Sequence, residues 1–324
     1  MKKNFYITQD GILKRRENTI YFVNKDKRVP IPIEQIHTIY ITGNVTLSSQ
    51  VLRLLSQKKI EVHIFNKHGF YTGSFYPREK YVSGSLIIKQ AEHYLNHQKR
   101  IYLAKSFVRG AALNIKKNLA YFKISGVSNE IDLILAEMDS ATSISEIMNI
   151  EARIRIKYYE SLDSILPEDF SYVRRTRQPP ENRFNALLSF LNSLLYSTIL
   201  AELYHTQLNP TISYLHEPSE RRFSLAYDIS EIFKPFIVDR LIFYLINKRI
   251  IKTTHFIDDL NACLLNSEGK RIVLRYYDDR LKSTIKHKTL NRSVSYQFLI
   301  RLEAYKLIKH LLGLKVYKPF VIWW

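Results

Sequence analysis

Residues 213–240 read SYLHEPSERRFSLAYDISEIFKPFIVDR, and the rest of the chain is interpreted outward from them. His216 stands just after a turn signal. Asp228 and Glu231 follow at i and i+3, at the start of a strongly apolar run that reads as a helix near 228–249. Arg221 and Arg222 lie between the histidine and the acids. Oxygen ligands with one imidazole suit a hard divalent cation, and cations beside them suit a phosphodiester. Taken singly, each residue has an ordinary explanation. First-turn acids favour a helix N-terminus, a histidine after a turn is commonly a hydrogen-bonded surface residue, and an arginine pair is commonly solvated. Pro235 should sit near the helix start or mark a kink. A cation site here needs a further ligand from another part of the chain.

Glu151 is the residue that stands out. In a helix near 143–166, Ile147, Glu151, Ile154 and Tyr158 are spaced 4, 3 and 4, which places the carboxylate in the middle of an apolar stripe. Left unpaired there, it would cost several kcal/mol, so a metal, a basic partner or a raised pKa has to compensate it. Spacing alone leaves a buried salt bridge and a metal ligand equally open. Between Glu151 and the 213–240 stretch comes ENRFNALLSFLNSLLYSTILAELYH, residues 181–205, whose wide apolar face reads as a core helix. Asn185 near its start is a cap or a polar contact in the site. The preceding loop, Arg174-Arg175-Thr176-Arg177-Gln178-Pro179-Pro180, is basic and cannot be helical across its two prolines.

Further out, the chain divides in character. The first 75 or so residues read as β: Phe5–Ile7, a turn at Asp10-Gly11, Thr19–Val23, Thr38–Ile41, and Ile60, Val62 and Ile64 alternating with Glu61, His63 and Phe65 as a half-buried strand. One helix interrupts them, with Ser48 as N-cap and Val51, Leu52, Leu54 and Leu55 as its apolar face. Pro30 and Pro32 restrict their segment to a sheet edge. Beyond a linker near 76–84 the pattern is helical, with helices expected near 87–119, 129–139, 143–166, 181–207, 228–249, 271–287 and 291–312. The expected fold is α+β: a small N-terminal β-sandwich-like domain over 1–84, then a larger all-α domain over 85–324.

The 324 residues carry 49 Lys and Arg against 30 Asp and Glu, a net charge of +19. Such an excess concerns partners, not fold. Because it is spread over both halves, it favours nucleic acid over a membrane surface. A single cysteine, Cys263, excludes an internal disulfide and a multi-cysteine zinc site, as befits a reducing compartment. The first residues lack a signal peptide's apolar core. No apolar run approaches the ~20 residues of a membrane span; the longest candidate, Phe236–Ile246, is broken by Asp239 and Arg240. A cytoplasmic protein is expected. No Gly-rich phosphate loop and no serine nucleophile elbow occurs. His255, Asp258, Asp259 and Cys263 read as a loop or helix surface, and Asp278-Asp279-Arg280 as a solvated charged face.

Over residues 151–238 the chain resembles the integrase of CRISPR adaptation, the family of CRISPR-associated protein one. Glu151-Ala152-Arg153-Ile154 with Tyr158 resembles the family's first motif, and Arg177–Pro180 with Asn185-Ala186-Leu187-Leu188 its next. Leu208-Asn209-Pro210 stands where the family has Leu-Asp-Pro, Leu215-His216 matches its Leu-His, and Arg222–Pro235 is similar to its longest motif. The β-then-helical layout also agrees. The resemblance implies that Glu151, His216 and Glu231 ligate Mn2+ or Mg2+, with Asp228 an accessory acid close by and Tyr227 a supporting residue. Ala152 replaces a common glycine, Asn209 replaces the turn aspartate, and Glu231 stands where some members have Asp; none of these removes a ligand.

The implied activity is phosphoryl transfer: a DNA 3′-hydroxyl attacks a phosphodiester in the CRISPR repeat, inserting a spacer. The implied partners are double-stranded and branched DNA, a second copy of the chain, and CRISPR-associated protein two. Arg174, Arg175, Arg177, Arg221 and Arg222 are candidates for phosphate contacts, because arginine binds phosphate bidentately. The competing readings are a non-catalytic basic DNA-binding scaffold and a structure-specific repair nuclease using the same site.

Overall fold

The computed structural model describes residues 2–25, 27–78, 81, 83–177, 179–218, 223–259 and 262–324. The β region comprises β1 (Lys3–Ile7), β2 (Gly11–Arg16), β3 (Thr19–Val23), β4 (Arg28–Pro32), β5 (Ile36–Ile41), β6 (Val45–Leu47), α1 (Ser49–Lys58), β7 (Val62–Phe65) and β8 (Tyr71–Phe75). They form two four-stranded sheets, ordered β4-β3-β2-β6 and β1-β5-β7-β8. The proline-bearing β4 is indeed an edge strand. Ser48 caps α1 by accepting from the Val51 amide. Leu13, Ile20 and Ile31 of one sheet, Ile39, Ile41 and Val62 of the other, and Val51, Leu54 and Leu55 of α1 share one apolar core.

The second sheet is covered on its other face as well. Tyr40 and Phe65 belong to the larger core formed with the helices. The Tyr6 hydroxyl lies 3.4 Å from Asp278 Oδ1. The half-buried reading of β7 therefore fails: Glu61 and His63 are fully buried and Ile64 is the exposed residue. The face that carries Glu61, His63 and Phe65 is the one the helices cover, so its polar residues are buried with it. Asp278, expected on a solvated face, is buried in the same seam, while Asp279 is exposed.

The remainder is helix-rich: α2 (Gly84–Leu95), α3 (His97–Phe122), α4 (Val127–Ala136), α5 (Ile144–Asp163), α6 (Arg183–Tyr204), α7 (Ser224–Phe233), a π-segment (Lys234–Asp239), α8 (Arg240–Asn247), α9 (Ser267–Lys282) and α10 (Tyr296–Leu311). Two hairpins interrupt the helices, β9 (Phe256–Asp259) with β10 (Ala262–Leu265) and β11 (Thr284–Lys286) with β12 (Ser293–Ser295). The expected helix near 87–119 is two, because Asn96 takes an extended conformation (φ −80°, ψ 109°) and caps α3 through the Lys99 amide. His255, Asp258 and Cys263 fall at the first hairpin, and the second takes the ends of the helices expected near 271–287 and 291–312. By length and composition α6 could cross a membrane, contrary to the expectation that no run approaches that size, but 89% of its most apolar window is buried inside the protein.

The helix expected near 228–249 is three pieces, and the interruption positions the site. Pro235 lacks an N–H and withholds a donor from the turn before it. Carbonyls on either side are taken up from outside: Asn114 donates to Ile232 O, Asn118 to Pro235 O and Arg280 to Phe236 O. Asn114 also donates to Phe320 O and accepts from the Ile322 amide, so one side chain of α3 ties the last turn of α7 to the 315–324 tail.

Candidate active site

Glu151 is carried by α5, whose start is set by a capping box between Ser143 and Glu146. Asp228 and Glu231 are carried by α7, which begins at Ser224. The first-turn explanation for these acids therefore lapses: Asp228 is a turn in, Glu231 lies in the last turn, and both are buried. The segment between α6 and α7 brings His216 to the same place. Its turn is held by Gln90, which accepts from the Asn209 amide (2.8 Å) and donates to Asn209 O (3.1 Å). Asn209 Oδ1 accepts from the Thr211 amide at 2.9 Å, so the Asn-for-Asp departure leaves the turn intact. Ala152 is solvent-exposed, so no close approach there requires the family's glycine.

Asp228 is fully buried and saturated. Its Oδ2 accepts from the amides of Tyr214 (2.6 Å) and Leu215 (3.0 Å), and its Oδ1 from the His216 amide (2.9 Å) and His216 Nδ1 (2.8 Å). A carboxylate holding Nδ1–H fixes the tautomer that leaves Nε2 as the open lone pair. Tyr227 flanks the ring at 5.6 Å and packs on Tyr196 at 4.6 Å.

The glutamates meet across a shared cation. Arg155, one turn beyond Glu151, forms ion pairs with Glu151 Oε1 and with Glu231 Oε2. Lys234 Nζ donates to Glu231 Oε1 at 2.6 Å. Burial works against the Glu151 charge, but Arg155, Lys234 and His216 outweigh it and hold the carboxyl below its ordinary range. Burial and the neighbouring Arg155 push Lys234 well below the usual lysine range. Behind Arg155, burial raises the pKa of Asp239 to about 7; its Oδ1 lies 3.4 Å from the Tyr159 hydroxyl, Tyr158 also reaches the carboxyl, and its Oδ2 has no aligned hydrogen bond among the described residues.

The arginine loop divides. Arg175 is inward, donating to Asn185 Oδ1 (2.9 Å) and Ser189 Oγ (3.1 Å), and burial lowers its pKa to about 10. Asn185 pins the loop, accepting also from the Thr176 amide and donating to Arg174 O, while the cap of α6 is Asn182. Arg174 is exposed and pairs with Glu181; Arg177 is exposed and acts electrostatically on Lys234. Arg221 and Arg222 lie outside the described residues.

No group of three or more His, Cys, Asp or Glu side chains is already gathered at metal-ligating distance among the described residues. The donor set nonetheless fits a hard cation. Two carboxylates from separate helices converge on one positive charge, beside an imidazole whose outer nitrogen is open.

Arg155, Lys234 and Asp239 were not singled out from sequence as site residues. Arg155 was visible as an i, i+4 partner of Glu151, and Asp239 as an acid inside an apolar run, but nothing in the sequence tied either to Glu231.

Two four-stranded sheets followed by a helix-rich region, with two glutamates from separate helices meeting beside a carboxylate-held imidazole, is the class that fold and geometry define. The chain belongs to the CRISPR-associated protein Cas1 family, whose family model matches residues 5–279. It is 60% identical to a CRISPR-associated endonuclease Cas1 of Methanothermobacter thermautotrophicus over 323 residues, covering 100% of this chain and 96% of that one. It is 57% identical to a CRISPR-associated protein Cas1 of Methanobrevibacter ruminantium, covering 100% of this chain and 99% of the relative. The solved structure of a Cas1 protein from Thermotoga maritima superposes with a TM-score of 0.91 at 40% identity, covering 98% of this chain and 100% of that one.

Proposed function

We propose that this protein is a divalent-cation-dependent DNA endonuclease and integrase that inserts short DNA fragments as spacers into a CRISPR array. Family membership and the endonuclease relatives support the reaction class. The observation that carries the assignment of residues is the convergence of Glu151 and Glu231 beside His216, with Asp228 locking the imidazole from behind. Glu151, His216 and Glu231 hold Mn2+ or Mg2+, and the imidazole tilts the choice toward Mn2+. A bound divalent cation lowers the pKa of an attacking 3′-hydroxyl and offsets charge on the phosphoryl-transfer transition state.

The chain's own residues do the rest. Asp228 is a positioning residue, because all its acceptor capacity is spent on His216 and the backbone that carries it. Arg177, exposed at the rim, contacts phosphate; Arg175 holds the loop that presents it. The surplus of positive charge follows the duplex by counterion release. The β region over 1–84 serves dimerisation and DNA contacts, the helical region over 85–324 catalysis, and the working assembly is a cytoplasmic homodimer with CRISPR-associated protein two on double-stranded and branched DNA.

Strand joining of short duplexes into a repeat-bearing plasmid, with the partner protein and Mn2+, tests this. Glu151→Ala and His216→Ala should each lower joining by about a hundredfold or more. Joining left intact by either would refute the site. Cleavage of branched DNA with no joined product would favour the repair-nuclease reading, and salt-sensitive DNA binding without Mn2+ binding the scaffold reading.

A further inference from the structure

Arg155 occupies an unusual position for a residue that the cation chemistry does not need. It springs from the same helix as Glu151 and spans from that carboxylate to Glu231 on α7. It forms an ion pair with each of the two carboxylates. A cation ligated by Glu151 and Glu231 needs the oxygen lone pairs that Arg155 faces, and two positive centres cannot share them in a buried site. Lys234 and Arg175 add further positive charge around it.

A second seat lies directly behind. Asp239 is fully buried, with the hydroxyls of Tyr158 and Tyr159 beside it, and its Oδ2 has no aligned hydrogen bond among the described residues. The Tyr159 hydroxyl stands between them, within reach of Arg155 and 3.4 Å from Asp239 Oδ1. A buried carboxylate with an idle oxygen, facing a buried guanidinium, is an acceptor for which the mechanism above has no other use.

We propose that Arg155 is a built-in competitor for the divalent cation: it neutralises Glu151 and Glu231 when no cation holds them, and turns to Asp239 when one does. The inference rests on the assignment of Glu151 and Glu231 as ligands. It makes Arg155 a thermostat of metal affinity and Asp239 the residue that receives it. With the competitor kept inside the protein, the fold tolerates its opposed carboxylates without metal, and the cation binds more weakly than the bare ligands allow.

Mn2+ titrations followed by calorimetry and by the electron paramagnetic resonance signal of free Mn2+, at pH 8, test this without reference to activity. Arg155→Gln should bind Mn2+ about tenfold more tightly than the wild type, and its melting temperature should rise more on adding Mn2+. Asp239→Asn, which leaves Arg155 in place, should bind about tenfold more weakly, and this loss should disappear in the Arg155→Gln background. Arg155→Gln binding as well as or more weakly than wild type would overturn the proposal, since Arg155 would then build the site. Equal loss from Asp239→Asn in both backgrounds would overturn the receiving role, and if Arg155→Gln does not fold, Asp239→Asn binding Mn2+ as well as the wild type overturns it instead. If the wild type itself binds no Mn2+, or Glu231→Gln binds as well as wild type, the ligand assignment fails and the competition with it.

Discussion

Asp228 is the residue on which the site turns. Four donors converge on its two oxygens with no solvent to replace it. Removing a buried acceptor leaves each donor with its desolvation cost. Asp228→Ala is therefore expected to lower the free energy of unfolding by about 3–5 kcal/mol, measured by urea denaturation without metal. In any fraction that stays folded, Mn2+ affinity should fall about 10- to 100-fold, as for other outer partners of a ligating histidine. An accessory acid standing in the open site would show neither the stability loss nor a disturbed His216 ring resonance. Motif resemblance ranked Glu231 as the ligand and Asp228 as an accessory acid; that Asp228 instead holds the His216 ring and backbone came from the direction of the His216 backbone.

At the scale of elements, the end of α7 and the tail are one device. Asn114 holds both, donating to Ile232 O and Phe320 O and accepting from the Ile322 amide. Phe236 packs against Phe320 and Trp324, and Phe233 stacks on Phe320. The tail thus buttresses the end of α7 that carries Glu231. Gly110 permits this approach: a Cβ there would lie 2.6 Å from Pro319 Cβ. Asn114→Leu should cost about 3 kcal/mol or more through three groups left unpaired and should release the tail, seen as a red shift in the fluorescence of Trp323 and Trp324. An unshifted spectrum would mean that the aromatic contacts alone hold the tail. Pro235 was legible as either a helix start or a kink, and the structure makes it the interruption. The asparagines that repair it, more than a hundred residues away, were not, because an asparagine in a helical pattern looks the same whether it meets solvent or an orphaned carbonyl.

For the whole molecule, the seam between the β region and the helices is its least ordinary boundary. Glu61 of that seam is fully buried, with Thr38 beside it, no aligned hydrogen bond to either oxygen among the described residues, and His205 Nε2 3.7 Å away. Burial raises its pKa well above the carboxylate range, and the nearby Glu202 adds to the shift while Arg301 opposes it. A carboxyl whose folded pKa is raised favours folding only while protonated, so its contribution is present below the unfolded pKa, near 4, and is lost as pH rises through the folded value. Glu61→Gln should accordingly raise the melting temperature at pH 8, and the gain should shrink toward zero near pH 4. A variant less stable than wild type at pH 8 would mean that the Glu61 charge is used in the seam. Burial holds His205 and His63 near pH 3, so their own loss of stability begins as pH falls below about 6.5 and is common to both proteins.

Local chemistry settled much of this protein in advance. Periodicity and caps placed most of the helices and strands, prolines set the edge strand and the kink, and Glu151 on an apolar stripe demanded a compensating charge. Motif resemblance then singled out His216 and Glu231. These features depend on neighbours a few residues apart, which a sequence displays directly. What satisfied Glu151, what held His216, and which polar residues of β7 would be buried depended on groups brought together from distant parts of the chain. Arg155 between two glutamates, Asp239 behind it and Glu61 in the seam acquire their properties from desolvation and from opposing charges on other elements. Those energies exist only once the chain has closed around them.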